Sequence, residues 1–196
     1  MIFECGPEGA DKKVCEHFAR QLQLELEIIS ITLDNKPKLI SECGRAASQL
    51  LKDGCDRVLI IWDLYPAWRE KNQKPCRKND RLEIQKCLEH YEVNSSQVHL
   101  ICITEELEAW LITDGHAISA VLSTPAHPVS IPDNKKTETV KNPKKYLMKL
   151  FKEKTGRLYS NLQHAEKIAR QITDLKKIKR CPSFARLVAK IQGDIP

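Results

Sequence analysis

The sequence predicts an α/β fold with a mainly parallel sheet flanked by helices. Three observations carry this. Val58–Trp62 and Gln97–Thr104 are short, nearly continuous apolar runs rich in β-branched residues, the signature of strands buried on both faces. Strand-like and helix-like stretches alternate four times within the first 115 residues. The acidic residues Glu4, Asp63 and the Glu105–Glu108 cluster each follow a strand-like stretch, as expected of a sheet whose carboxyl ends share one rim.

Taken in order, residues 1–5 (MIFEC) read as a first strand ending at Glu4, and Gly6-Pro7-Glu8-Gly9 is turn chemistry. A helix from about Ala10 places Val14, Phe18 and Leu22 on one face. Residues 25–33 (ELEIISITL) alternate and then run apolar, which predicts a second strand. Asp34-Asn35-Lys36-Pro37 forms a turn and helix start, and a helix over 38–52 stops at Asp53-Gly54. The third strand breaks on Asp63, because Pro66 cannot donate to a sheet ladder. Residues 66–78 form a polar, basic loop, and Asn79 or Asp80 is expected to cap the next helix. After the fourth strand, Glu105 to Thr113 predicts a helix that starts acidic, in accord with the helix dipole.

Residues 116–141, with Pro125, Pro128 and Pro132, read as a long connecting loop that opens on a short helix. Asn142-Pro143 opens a helix with Asn142 as cap, and Gly156 ends it. A further helix is expected from Asn161 or Leu162 to Leu175, and a last one from Cys181-Pro182 with Ser183 as cap. The domain reading is an α/β core over 1–115, a Pro-containing connection over 116–141, and a basic helical extension over 142–196 packed on that core.

Charge is unevenly distributed. The net charge of +6 combines about −6 over residues 1–134 with +12 over residues 135–196. A basic C-terminal part suits a phosphate backbone, and a solvated Lys-rich helical face accounts for it equally well. Apolar runs fall short of the roughly 18 residues of a membrane span, and MIFECG has the form of no signal peptide, so a cytoplasmic protein without membrane association is expected. The eight cysteines form no CxxC pair, which favours reduced, packed thiols; Cys87 and His90 alone have a metal-like spacing, with Cys76 and His99 as the only further ligands.

Carboxylates on a strand rim have a plain chemical use. Mg²⁺ is held by one or two carboxylates plus waters and substrate phosphates, and an ion so held activates water and neutralises phosphoryl charge. Glu4 and Asp63, with Glu106 and Glu108, are the candidate ligands for Mg²⁺ or Mn²⁺, and Glu4 and Asp63 are the candidate catalytic residues. Lys12, Lys13 and His116 are the nearby candidates for acid or base. Nucleic acid, DNA or RNA, is the expected partner. Its backbone would meet Lys12, Lys13, Lys74, Arg77, Lys78, Lys144 and Lys145, together with Trp68, Arg69 and Lys71 in the polar loop, where Trp68 could stack on a base.

The order Glu4-Cys5-Gly6-Pro7 with Asp11-Lys12, then Asp63, then Glu106-Leu107-Glu108-Ala109-Trp110-Leu111-Ile112-Thr113-Asp114 resembles the Toprim-like domains of an uncharacterised bacterial family. That family is related in fold to the Toprim domains of primases, topoisomerases and OLD-type nucleases. The helical end Cys181-Pro182-Ser183-Phe184 extends the likeness over nearly the whole chain. The resemblance implies a Toprim-like core, Glu4 as acid/base or metal ligand and Asp63 as the first Asp of a Mg²⁺-binding pair. The sequence departs at the second Asp, where Tyr65 stands, so Glu106 or Glu108 would have to supply that ligand. The enzyme reading is a Mg²⁺-dependent nuclease. The alternative is a non-catalytic Toprim-like module that binds nucleic acid or a partner protein, as in phage defence. A receiver-like phosphoacceptor with Asp63 as acceptor lacks the acidic pair expected at the first strand.

Overall fold

The computed structural model describes residues 1–65, 74–135 and 138–193. Its centre is a four-stranded, all-parallel sheet, in line with the alternation in the sequence. The strands are β1 (Ile2–Phe3), β2 (Ile31–Thr32), β3 (Val58–Asp63) and β4 (Val98–Ile103), in the order β2-β1-β3-β4. β3 and β4 pair over their full lengths, from Val58 opposite Val98 to Asp63 opposite Ile103. The second strand is much shorter than residues 25–33. β1 offers only a two-residue edge, so the pairing is confined to Ile31 and Thr32 with flanking bonds from Ile31 N–H to Met1 O and Leu33 N–H to Phe3 O. Leu26 and Ile28 instead pack against the neighbouring apolar cluster, and Ile29 is exposed.

The period-two alternation of strand side chains divides the core between the two faces. On one face, Ile2, Ile60, Trp62 and Cys102 meet Leu39, Cys43, Ala47 and Leu50 of helix α2 (Lys36–Lys52) and Ile84 and Leu88 of helix α3 (Arg77–His90). On the other, Phe3, Ile61, Ile101 and Ile103 meet Val14 and Phe18 of helix α1 (Ala10–Leu22). Trp110 of α4 (Glu108–Leu111) and Ile118 of α5 (Gly115–Leu122) belong to that second cluster. So do Leu147 and Phe151 of α6 (Pro143–Thr155), Ile168 of α7 (Asn161–Gln171), and Phe184 and Leu187 of α8 (Pro182–Gln192). The basic helices after residue 142 thus bury their apolar faces in the same cluster as the strands. Among the described residues, no helix is long and apolar enough to cross a membrane.

Several helix starts differ from expectation. α3 begins at Arg77, without a side-chain cap; Asp80 lies inside it, buried, accepting the Trp62 indole N–H at 3.1 Å. Asn142 precedes α6 with a left-handed backbone (φ 52°) and no side-chain cap bond. Ser183 is also no cap. It sits inside α8, fully buried, accepts the Trp110 indole N–H at 2.7 Å, and its backbone N–H donates to Glu138 Oε1 at 2.8 Å. A carboxylate brought from the connection before α6 therefore serves the start of α8. The acidic stretch after β4 forms only the single turn of α4; Asp114 then caps α5, accepting the N–H groups of His116 and Ala117.

Helices α2 and α3 touch where Gly44 faces Cys87. A Cβ at Gly44 would lie 2.3 Å from the Cys87 carbonyl oxygen, a backbone atom that cannot step aside. Gly44→Ala is therefore expected to push the helices apart and destabilise the protein by about 1–3 kcal/mol, measured by chemical denaturation; unchanged stability would show that the helices separate freely.

Candidate functional site

The chain leaves β1 toward one edge of the sheet and β3 toward the other, so the strand order reverses between these neighbours. In open α/β sheets the crevice outside the strand carboxyl ends at such a point is where ligands bind. Glu4 directly follows β1 and Asp63 ends β3, so both stand at this crevice. They touch: the Asp63 backbone N–H donates to Glu4 Oε1 at 2.9 Å. Asp63 Oδ2 accepts the Leu107 N–H at 3.4 Å, at the turn into α4. The second oxygen of each carboxylate, Glu4 Oε2 and Asp63 Oδ1, is buried and has no hydrogen-bond partner.

Burial of unpaired carboxylates raises their affinity for protons. Glu4 is pushed up to about 7, chiefly by burial, with Lys36 opposing through its charge. Asp63 is held well above the usual carboxylate range, first by burial and then by the charges of Asp11, Glu4 and Glu108. Asp11, in the first turn of α1, is raised by burial too, partly offset by its own backbone N–H and by Lys144. Glu108, buried in α4, is pushed up to about 7, again chiefly by burial.

Glu106 and Glu108 have protein partners. Glu106 Oε2 accepts the Lys144 backbone N–H at 3.2 Å, at the start of α6. Glu108 Oε1 accepts the Tyr159 hydroxyl at 3.1 Å. Among the described residues, no three His, Cys, Asp or Glu side chains are grouped so as to hold one metal ion. Glu4 and Asp63 are nonetheless suited to a divalent ion: two adjacent carboxylates, each with one buried, unpartnered oxygen, match a cation that takes one or two carboxylates and completes its shell with water and substrate oxygens.

Several residues of this site carry little signal in the sequence. Asp11 belongs to the segment around Glu4 but reads as an ordinary first-turn acid. Lys36, which reads as part of a turn, is buried; its ammonium donates to Leu64 O at 3.0 Å and lies 4.0 Å from Asp80 Oδ2. Tyr159 lies between α6 and α7, more than fifty positions from its partner Glu108, and no local pattern marks it.

The expected basic residues are spread more widely. Lys12 donates to Pro7 O at 3.4 Å, and Lys13 pairs with Glu8 at 2.7 Å. Lys144 is half-buried beside the acids, while Lys74, Arg77, Lys78, Lys145 and His116 are exposed. Trp68, Arg69 and Lys71 lie outside the described residues. Among the described residues, Cys87 joins no metal-holding cluster; its thiol faces Gly44 N–H at 3.2 Å and Ser41 O at 3.4 Å.

A family model described as "Domain of unknown function (DUF4276)" matches residues 8–192, nearly the whole chain, and the chain belongs to that family. No curated protein and no solved structure matches it. None of these comparisons ties the chain to Toprim domains.

Proposed function

We propose that this DUF4276 protein is a divalent-metal-dependent enzyme that processes phosphodiester bonds, most simply a nuclease acting on DNA or RNA. The observation that carries the reading is the pair of buried, unpartnered carboxylate oxygens, Glu4 Oε2 and Asp63 Oδ1, at the reversal of strand order. An unsatisfied buried carboxylate is costly, and a site that keeps two of them side by side is best explained by a cation. Mg²⁺ or Mn²⁺, when bound, supplies Lewis acidity and an activated water. Glu4 and Asp63 would hold it. The bond from Asp63 N–H to Glu4 sets the spacing of the two carboxylates, and the Leu107 N–H orients Asp63. Glu108, with its pKa near 7 and its bond to Tyr159, can hold or release a proton near neutrality. Lys36 contributes positive charge beside Glu4.

In this reading the core is Toprim-like and the helices after residue 142 supply a basic surface. Tyr65 supports a second reading, the non-catalytic module that binds nucleic acid or a protein. It stands two residues after Asp63, exposed, where a second ligand would be expected, and its N–H is bound to Glu105 O at 3.0 Å.

Calorimetric titration with Mg²⁺ and Mn²⁺, joined to cleavage assays on single-stranded DNA, duplex DNA and RNA, tests the proposal. Metal binding with cleavage of at least one substrate is expected. Absence of cleavage on all three, with nucleic-acid binding intact, would replace it by the second reading.

A further inference from the structure

Three arginines gather near β4, close enough for the charges of Arg77 and Arg81 to act on Arg186. Arg77 and Arg81 stand one turn apart in α3, exposed and on the same side of that helix. Arg186 projects from α8, on the opposite face of the sheet, and reaches around the edge strand to donate from Nη2 to the Cys102 carbonyl oxygen at 3.3 Å. Cys102 lies opposite Trp62 in the β3–β4 register, and Trp62 is bonded to Asp80 of α3. The first turn of α3 therefore stands over the very rung whose outer carbonyl Arg186 grips. Ionisation of Arg186 is disfavoured by burial and by the like charges of Arg77 and Arg81, with Glu138 opposing them.

Three other arginines pair with acids on their own helices: Arg20 with Glu16, Arg45 with Glu42, Arg170 with Glu166. Among the described residues, none of Arg77, Arg81 and Arg186 is in an ion pair. Three cations with the single opposing charge of Glu138 leave an excess of positive charge that favours a bound anion, and guanidinium groups match phosphate oxygens in geometry. The position is informative. Asp63 pairs with Ile103, the rung next to Cys102. The edge strand is thus one strand spacing, roughly 5 Å, from Asp63 and two, roughly 10 Å, from Glu4.

We propose that Arg77, Arg81 and Arg186 form an anion site that holds a backbone phosphate of a nucleic-acid strand, placing a neighbouring phosphodiester of the same strand at Glu4 and Asp63. The identity of the ligand as nucleic acid rests on the proposed function; the anion site itself rests on the arginine geometry.

Binding of a fluorescein-labelled oligothymidylate, followed by anisotropy in EDTA over a range of salt concentrations, tests this without requiring catalysis. Each phosphate contact removed is expected to flatten the slope of log K against log salt by about 0.7 for a single strand. Arg77→Gln/Arg81→Gln and Arg186→Gln should each show this loss, Arg186→Lys should restore most of it, and Lys52→Gln, on the exposed last turn of α2, should leave the slope unchanged. Wild-type slopes in Arg77→Gln/Arg81→Gln would overturn the proposal, and because both side chains are exposed that variant decides the matter even if Arg186→Gln unfolds. Cleavage with unaltered slopes would leave the nuclease and remove the anion site. Flattened slopes in a protein that never cleaves would keep the site and remove the nuclease.

Discussion

Asp63→Asn is expected to abolish divalent-dependent cleavage, by about 10³-fold or more, the scale on which a single group that stabilises developing charge acts. The same variant is expected to be more stable than the wild type when metal is removed. Asp63 Oδ1 is buried without a partner, and its carboxyl is held far from its usual ionisation by burial and by Asp11, Glu4 and Glu108. Asparagine removes the charge, keeps an oxygen for the Leu107 N–H, and adds a donor that neighbouring carboxylates can accept. A gain of about 1–3 kcal/mol follows, the cost of one unsatisfied buried polar group. Glu4→Gln is expected to behave alike. Thermal denaturation in EDTA and in Mg²⁺, beside the cleavage rate, separates function from folding: Mg²⁺ should stabilise the wild type and leave Asp63→Asn unmoved. A variant that loses activity and also loses metal-free stability would show that Asp63 is a structural acid.

The second large effect is in the pH dependence of stability. Glu4 and Glu108 are each pushed from the usual carboxylate value of 4.5 up to about 7 in the folded protein. Between those limits the folded state keeps protons that the unfolded chain has lost, so the stability these two groups contribute falls as pH rises through this window and levels off above about 7. For Glu108 the displacement corresponds to roughly 3 kcal/mol. Metal-free wild type is therefore expected to lose stability from pH 4.5 to 7 relative to a Glu4→Gln/Glu108→Gln variant, measured by urea denaturation in EDTA. Mg²⁺ should counter the loss at the upper end, because binding displaces the proton of Glu4. Parallel stability profiles for the two proteins across this range would show that neither group is titrating late.

Much of the sheet was legible because continuous, β-branched apolar runs leave few alternatives. Val58–Trp62 and Gln97–Thr104 became β3 and β4, and the break on Asp63 fell at the strand end. The alternation in residues 25–33 was misleading, since strand formation needs a partner and β1 offers only two residues. Local capping rules failed at Asp80 and Ser183 for a shared reason. Each polar group found a distant partner, Trp62 or Trp110, whose indole N–H required an acceptor once buried. Glu4 and Asp63 stood out as acids ending apolar strands. Asp11, Lys36 and Tyr159 did not, because their burial depends on packing that no local window contains.

Hydrophobic periodicity and β-branched content act locally, and they sufficed to make the chain an α/β protein with acids at strand ends. Which acids stand together depends on the packed sheet. The order β2-β1-β3-β4 makes β1 and β3 neighbours across more than fifty residues, bonds the Asp63 N–H to Glu4, turns Glu106 and Glu108 toward Lys144 and Tyr159, and leaves one oxygen each of Glu4 and Asp63 buried without a partner. Strand order is set by which faces can be buried together, and that is a property of the whole chain.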